Sequence, residues 1–356
     1  MSYKIFAYNH PFRLESGAEL PRYELAYTTY GRLNAKADNA VWIFHALTAN
    51  SDPAEWWPGM LGEGKLFDPA EYFVVCANMP GSCYGSTGPL SPNPLNHEPY
   101  YHDFPFFTTR DMIKAYQPLR AHLGIQKIRI GAGGSMGGQQ LLEWAIIEPE
   151  LFEYIFPIAT NAQHSPWAIA FNESQRMSIE ADSTWKENTP EAGLAGMRAA
   201  RATALISYRH YNTYLHAQPR SDVFPFEGWD GASSYQRYQG EKLARRFNAF
   251  SYYVLSQGMD SHNVGRARGG MEKALDLIRA KALVIGIESD ILFPLVEQKF
   301  LASYIRGASF ISISSAFGHD GFLLEYGPMT LLIRDFLLKQ EKLKPHLETL
   351  KGYGNT

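Results

Sequence analysis

The sequence predicts an α/β fold: a mostly parallel central sheet with helices on both faces and a helical cap inserted between two strands. Three observations lead there. Short apolar, strand-like runs alternate with helical runs through residues 1–160, the signature of parallel βαβ units. Over 161–279 only helical periodicity and loops remain, and the strand pattern resumes near 282. Between two strand-like runs of the first block, Gly133-Gly134-Ser135-Met136-Gly137 fits G-x-S-x-G at a strand-to-helix turn, the pattern of a nucleophile elbow.

The elements follow in order. Residues 3–30 read as two or three strands, the clearest over 22–30, whose aromatic and β-branched side chains suit a pleated surface. A polar turn over 34–39 leads to a buried strand at 40–44, which ends in His45-Ala46-Leu47-Thr48. The next strand, 72–78, feeds a turn-rich loop. An amphipathic helix over 107–123 takes Thr108 or Thr109 as its N-cap. Strand 127–131 enters the elbow, and the helix behind Ser135 stops at Pro149. Strand 154–158 closes the first block.

Within 161–279 the runs 192–208 and 238–255 are the strongest helices. The sheet resumes at 282–287 and 309–313, and a helix over 326–341 completes the core. The charged tail beyond Lys342 is expected to be partly loose. The core is thus 1–160 with 280–356. The inserted 161–279 segment is expected to cap the C-terminal strand ends, where open α/β sheets keep their sites.

A net charge of −3 offers no basic excess for nucleic acid or an anionic membrane surface. Two cysteines, Cys76 and Cys83, allow at most one disulfide and fit a reducing compartment; their role stays open. The N-terminus lacks the apolar core of a signal peptide, and no stretch approaches the roughly 18 apolar residues of a membrane span. A cytoplasmic location is expected.

Five residues of G-x-S-x-G fit a packing or phosphate-binding turn equally well, so the surroundings must decide. A serine nucleophile needs a base and an orienting acid, in the order Ser, Asp or Glu, His. Asp290 stands just past the 282–287 strand, with Glu288 as its nearest rival, and His319 lies in the loop after 309–313. Ser135 would attack, His319 would take its proton, and Asp290 would hold the imidazole. The N–H groups of Met136 and Leu47 would bind the oxyanion. His102 with Asp103, or His45 with Asp52, lack an accompanying HExxH or paired CxxC, so no metal is expected. His164, His210 and His262 read as structural. Arg198, Arg201, Arg245 and Arg246 read as solvated helix faces, or as a cap surface facing a carboxylate or phosphate.

With these segments in hand the chain resembles the homoserine O-acetyltransferases, α/β-hydrolase-fold acyltransferases of methionine biosynthesis. The likeness runs from about Tyr23 to about Arg334 and rests on several marks. Among them are His45-Ala46-Leu47-Thr48, Arg110-Asp111-Met112, Gly134-Ser135-Met136-Gly137-Gly138 with Leu142-Glu143-Trp144, Gly265-Arg266-Ala267-Arg268-Gly269 and Gly318-His319-Asp320-Gly321-Phe322-Leu323. The resemblance implies a triad of Ser135, Asp290 and His319, and acetyl transfer from acetyl-CoA to the L-homoserine hydroxyl. It implies substrate contacts by Arg201 and Asp320, with Tyr208 near the same site. It further implies acetyl-CoA as a substrate rather than a resident cofactor, and a homodimer joined through cap helices. Pro80-Gly81-Ser82-Cys83-Tyr84 departs from the version many members carry, Gln139-Gln140 varies among relatives, and both leave acyl-chain choice open. A succinyl donor, a serine acceptor, plain ester hydrolysis and a catalytically dead binding module are the competing readings.

Overall fold

In a computed structural model of the chain, residues 3–218 and 231–352 are described, with side chains as far as Lys342. The N-terminal part forms β1 (Lys4–Tyr8), the two-residue strands β2 (Phe12–Arg13) and β3 (Glu19–Leu20), β4 (Tyr23–Tyr30) and β5 (Ala40–Phe44). The expected two or three strands are therefore four, because β2 and β3 pair as a small separate ribbon. Then come α1 (Pro53–Trp56), β6 (Phe73–Ala77), α2 (Thr109–His122), β7 (Ile128–Gly134), α3 (Met136–Ile147) and β8 (Phe152–Ile158). Thr108 caps α2 in a reciprocal capping box with Asp111.

From Ile158 to Lys281 the described residues form helices and loops without a strand: α4 (Pro166–Glu180), α5 (Leu194–Tyr208), α6 (Tyr211–Ala217), α7 (Gly231–Ala244), α8 (Ala249–Asp260) and α9 (Met271–Leu275). The single helix expected over 238–255 is two, since Asn248 interrupts it and accepts a 2.7 Å bond from Ser251 N to start α8. The chain then returns as β9 (Lys281–Ile287), α10 (Leu295–Tyr304), β10 (Ser309–Ile313), α11 (Gly321–Leu324) and α12 (Tyr326–Gly352). α12 thus runs on through the tail that the sequence left partly loose; residues 353–356 of that tail lie outside the described residues.

The eight-stranded sheet has the order β1-β4-β6-β5-β7-β8-β9-β10, parallel from β6 to β10. Strand alternation divides the core in two. Trp42 and Phe44 of β5 point to one face with Tyr116 of α2 and Trp144 of α3. Val41 and Ile43 point to the other, which β7, β8 and Phe336 of α12 share. From β5 the chain steps to β6 on one side and then crosses back to β7 on the other. The loops after β5 and β7 therefore part above the sheet, and a crevice opens between them, as at the switch point of other α/β sheets.

Candidate active site

Ser135 sits between β7 and α3 with φ 56° and ψ −127°, a backbone that a non-glycine residue adopts only under constraint. The constraint is visible. Ser135 N donates to Ile158 O at 3.0 Å, and Thr160 Oγ1 donates to Ser135 O at 2.8 Å. A Cβ on Gly137 would lie 2.2 Å from Phe44 O, so only glycine lets α3 approach β5 this closely. The strand itself runs to Gly134, beyond its expected end at 131, because Gly133 and Gly134 pair with Pro157 and Ile158.

Met136, the first residue of α3, has its N–H at the positive end of the helix, where no intrahelical carbonyl can reach it. Leu47 lies across the crevice in the loop after β5, and its N–H has no partner among the described residues.

Asp290 follows β9 and is fully enclosed. Its Oδ1 accepts the N–H groups of Leu292 at 2.8 Å and Phe293 at 2.9 Å, so its own loop aims the carboxylate. Its Oδ2 accepts His319 Nδ1–H at 2.6 Å, which leaves Nε2 as the free ring nitrogen. Glu288 is exposed and accepts Ser312 Oγ instead. The His319 ring stacks on Phe293 with centroids 5.0 Å apart and meets Phe322 at 5.2 Å and Tyr208 at 5.8 Å. Ser289 Oγ donates to Ser315 O at 2.6 Å and accepts Gly318 N–H at 3.1 Å, tying the Asp290 loop to the His319 loop. The structure brings Asp290 and His319 together; among the described residues the Ser135 hydroxyl makes no hydrogen bond.

The intervening helices press on the His319 loop through the end of α5. Arg201 lies 5.4 Å above the Tyr208 ring and makes no ion pair among the described residues. Arg209 Nε is 3.1 Å from Asp320 Oδ2, close enough for an ion pair though not aligned for a hydrogen bond. Burial pushes the Asp320 carboxyl up, against the opposing pull of Arg209 and Arg201. Burial also raises the Tyr208 phenol. Asp320 makes no side-chain cap bond to α11. Gly318 has φ +64°, and a Cβ there would lie 2.7 Å from the Arg209 carbonyl carbon, so the loop packs directly on this segment. Arg209, Phe293 and Thr160 were not singled out from the sequence. Arg209 alone carried a signal, as a cation beside Tyr208 at a helix C-terminus.

The other sequence candidates have structural partners. His102 Nε2 bonds to Trp185 O, His262 Nε2 to Asn161 O, and His164 lies between Gln139 and Asn172. His210 accepts Asn212 N–H at the start of α6. Arg198 and Arg245 pair with Glu241, while Arg246 donates to Thr48 O. Cys76 and Cys83 are both free thiols.

A strained serine between β7 and α3, with an Asp–His pair just past the neighbouring strands β9 and β10, has the layout of a nucleophile elbow with its acid–base pair on a parallel sheet. A family model described as the alpha/beta hydrolase fold matches residues 39–326. The homoserine O-acetyltransferase of Cyclobacterium marinum is 50% identical over 341 residues, covering 95% of this chain and 96% of that protein. Among solved structures, homoserine O-acetyltransferase from Bacillus anthracis superposes with a TM-score of 0.88 at 23% identity, covering 94% of this chain and 97% of that one. Esterase E22 superposes with a TM-score of 0.85 at 23% identity, covering 94% and 99%. The last two likenesses speak for the fold alone. The chain belongs to the homoserine O-acetyltransferase family of the alpha/beta hydrolase fold.

Proposed function

We propose that the protein transfers the acetyl group of acetyl-CoA to the side-chain hydroxyl of L-homoserine through an acetyl-Ser135 intermediate. In the first half-reaction His319 Nε2 takes the Ser135 proton as Oγ attacks the thioester carbonyl. The N–H groups of Met136 and Leu47 hold the oxyanion, and Asp290 stabilises the imidazolium. The tetrahedral adduct collapses, and CoA leaves as the thiol with the proton from His319. In the second, the homoserine hydroxyl gives its proton to His319 and attacks the acetyl carbonyl. The Ser135 oxygen then takes that proton back as O-acetylhomoserine departs. Acetyl-CoA enters as a substrate, and this chemistry requires no permanent cofactor.

The observation that carries the acceptor is the pair of opposite charges beside His319. Arg201 is a cation without an ion-pair partner among the described residues, and Asp320 is an anion that directly follows the base. A free amino acid is a zwitterion, and this pair matches its two ends. In this reading the 161–279 segment is a cap that keeps water from the acyl-enzyme, and Tyr208 lines the acceptor pocket. The cytoplasm is the location the reading assigns. A homodimer through the cap helices completes it, supported by the exposed apolar surface of Ile206, Tyr211, Leu215 and Tyr238. Light scattering tests the dimer, and a monomer at micromolar concentration would remove it.

The reaction is tested by incubating the protein with acetyl-CoA or succinyl-CoA, each with homoserine, serine or no acceptor, and identifying products by mass. O-acetylhomoserine is expected. A succinylated product or O-acetylserine would reassign the substrate, and acetate formed equally fast without acceptor would make the protein an esterase.

A further inference from the structure

His45 follows β5 directly, is 1% exposed, and takes no part in the mechanism above. Its Nδ1 lies 2.9 Å from Ala46 O and its Nε2 lies 3.2 Å from Met79 N. A carbonyl oxygen only accepts and a backbone N–H only donates, so the proton must be on Nδ1 and the lone pair on Nε2. The Ala46 carbonyl accepts a second bond from Ala49 N at 3.0 Å, so both of its lone pairs are engaged. That carbonyl and the Leu47 N–H are the two ends of one planar trans peptide and point in opposite directions. Whatever fixes the one therefore aims the other.

We propose that His45 is a positioning residue that aims the Leu47 N–H at the oxyanion by holding the Ala46 carbonyl behind it. The inference rests on Leu47 as an oxyanion donor, but not on which acyl donor or acceptor the enzyme uses. The imidazole is suited to the task because burial pushes its pKa down to about 4, so it stays neutral and keeps both bonds at working pH. A second hold comes from outside the sheet. Arg246, from the segment after α7, donates to Thr48 O at 2.7 Å, so Leu47 lies between two anchored neighbours. An oxyanion donor stabilises only the tetrahedral species, so its aim should matter to rate and hardly to binding.

Two substitutions separate the two bonds of the ring. His45→Asn places an amide where Nδ1 stood and keeps the donor to Ala46 O while losing Met79. His45→Gln reaches the Nε2 position and keeps an acceptor for Met79 N while losing Ala46. His45→Leu, close in shape to Asn, keeps neither. Losing an oxyanion donor outright costs about 10²–10³ in kcat. The Gln and Leu variants should therefore lose at least about tenfold in both half-reactions, with KM for acetyl-CoA and homoserine within about twofold. The Asn variant should stay within about threefold of wild type. The same series is run on p-nitrophenyl acetate, whose acyl transfer to Ser135 uses the same oxyanion hole. Equal losses in Asn and Gln, a loss in one half-reaction alone, or losses that follow melting temperature would overturn the role. Wild type that acylates Ser135 from the ester but not from acetyl-CoA would refute the substrate reading, and the ester series would still decide His45. Acylation from neither would refute both.

Discussion

Arg209 Nε lies 3.1 Å from Asp320 Oδ2, so the carboxylate that follows His319 is already half of an ion pair. With Arg201 beside them, two cations flank one buried anion, a surplus of one positive charge. In the proposed complex the amino-acid carboxylate would face Arg201, and its ammonium would share Asp320 with Arg209. What the cluster offers a zwitterion and not a neutral ester is the placement of both signs of charge, one for each end.

If these groups clamp the acceptor, Arg201→Ala and Asp320→Asn should still acetylate Ser135 from acetyl-CoA at a near-normal rate. Their kcat/KM for homoserine should fall by about 2–4 kcal/mol, the cost of truncating a buried charged contact. Single-turnover mass spectrometry reads the first half-reaction, and steady-state rates read the second. A defect confined to acetylation would show that the residues serve the other substrate.

The covalent route makes its own demands. Ser135→Ala should abolish transfer, and wild type stopped without acceptor should carry one acetyl mass on the Ser135 peptide. Initial-rate plots should be parallel. CoA release without homoserine should be at least about tenfold slower than with it, roughly 1.4 kcal/mol of barrier. Intersecting plots with no acyl-peptide would exclude the intermediate.

Glu143, on the helix behind Ser135, is buried between Arg268, at 2.5 and 2.9 Å, and Arg110, at 2.7 Å. Removing the carboxylate leaves Arg268 with no ion-pair partner among the described residues and Arg110 with Glu15 alone. Glu143→Ala should therefore lower stability by about 3–5 kcal/mol in urea melts. The folded fraction should keep its ratio of half-reaction rates, because the cluster ties the loop after α8 to α2 and α3 without touching the triad. A change in that ratio at unchanged stability would contradict this.

Glu297 lies near Asp290 and His319, with its Oε2 accepting Asn161 Nδ2 at 3.0 Å, and burial pushes its carboxyl up to about 7. Between the ordinary glutamate range and about pH 7 the folded protein holds a proton that the unfolded chain has released. The stability from this proton is fully present below that window and is lost as pH rises through about 7. Glu297→Gln, always neutral and still able to accept from Asn161, should melt higher than wild type at pH 8, and the gap should close toward pH 4.5. A gap independent of pH would mean that Glu297 is ionised throughout.

Sequence alone determined the features that depend on residues close in the chain. The elbow needs small residues around Ser135, α2 needs Thr108 and Asp111 three residues apart, and Asp290 and His319 stand just past apolar runs. Backbone sterics, capping and side-chain period act over a turn or two, so they can be read from a short window. The break before α8 was missed because helical periodicity continues on both sides of Asn248. Only the tertiary structure decided which distant groups meet. Glu143 and Arg268 are 125 residues apart, and no periodic pattern names either as the other's partner. Arg209 reaches Asp320 because the chain between β8 and β9 folds back over the strand ends, a matter of packing and loop closure. The bond from His45 to Ala46 is local, yet its bearing on the site appeared only once β5 and β7 were neighbours in the sheet and the start of α3 lay against the end of β5.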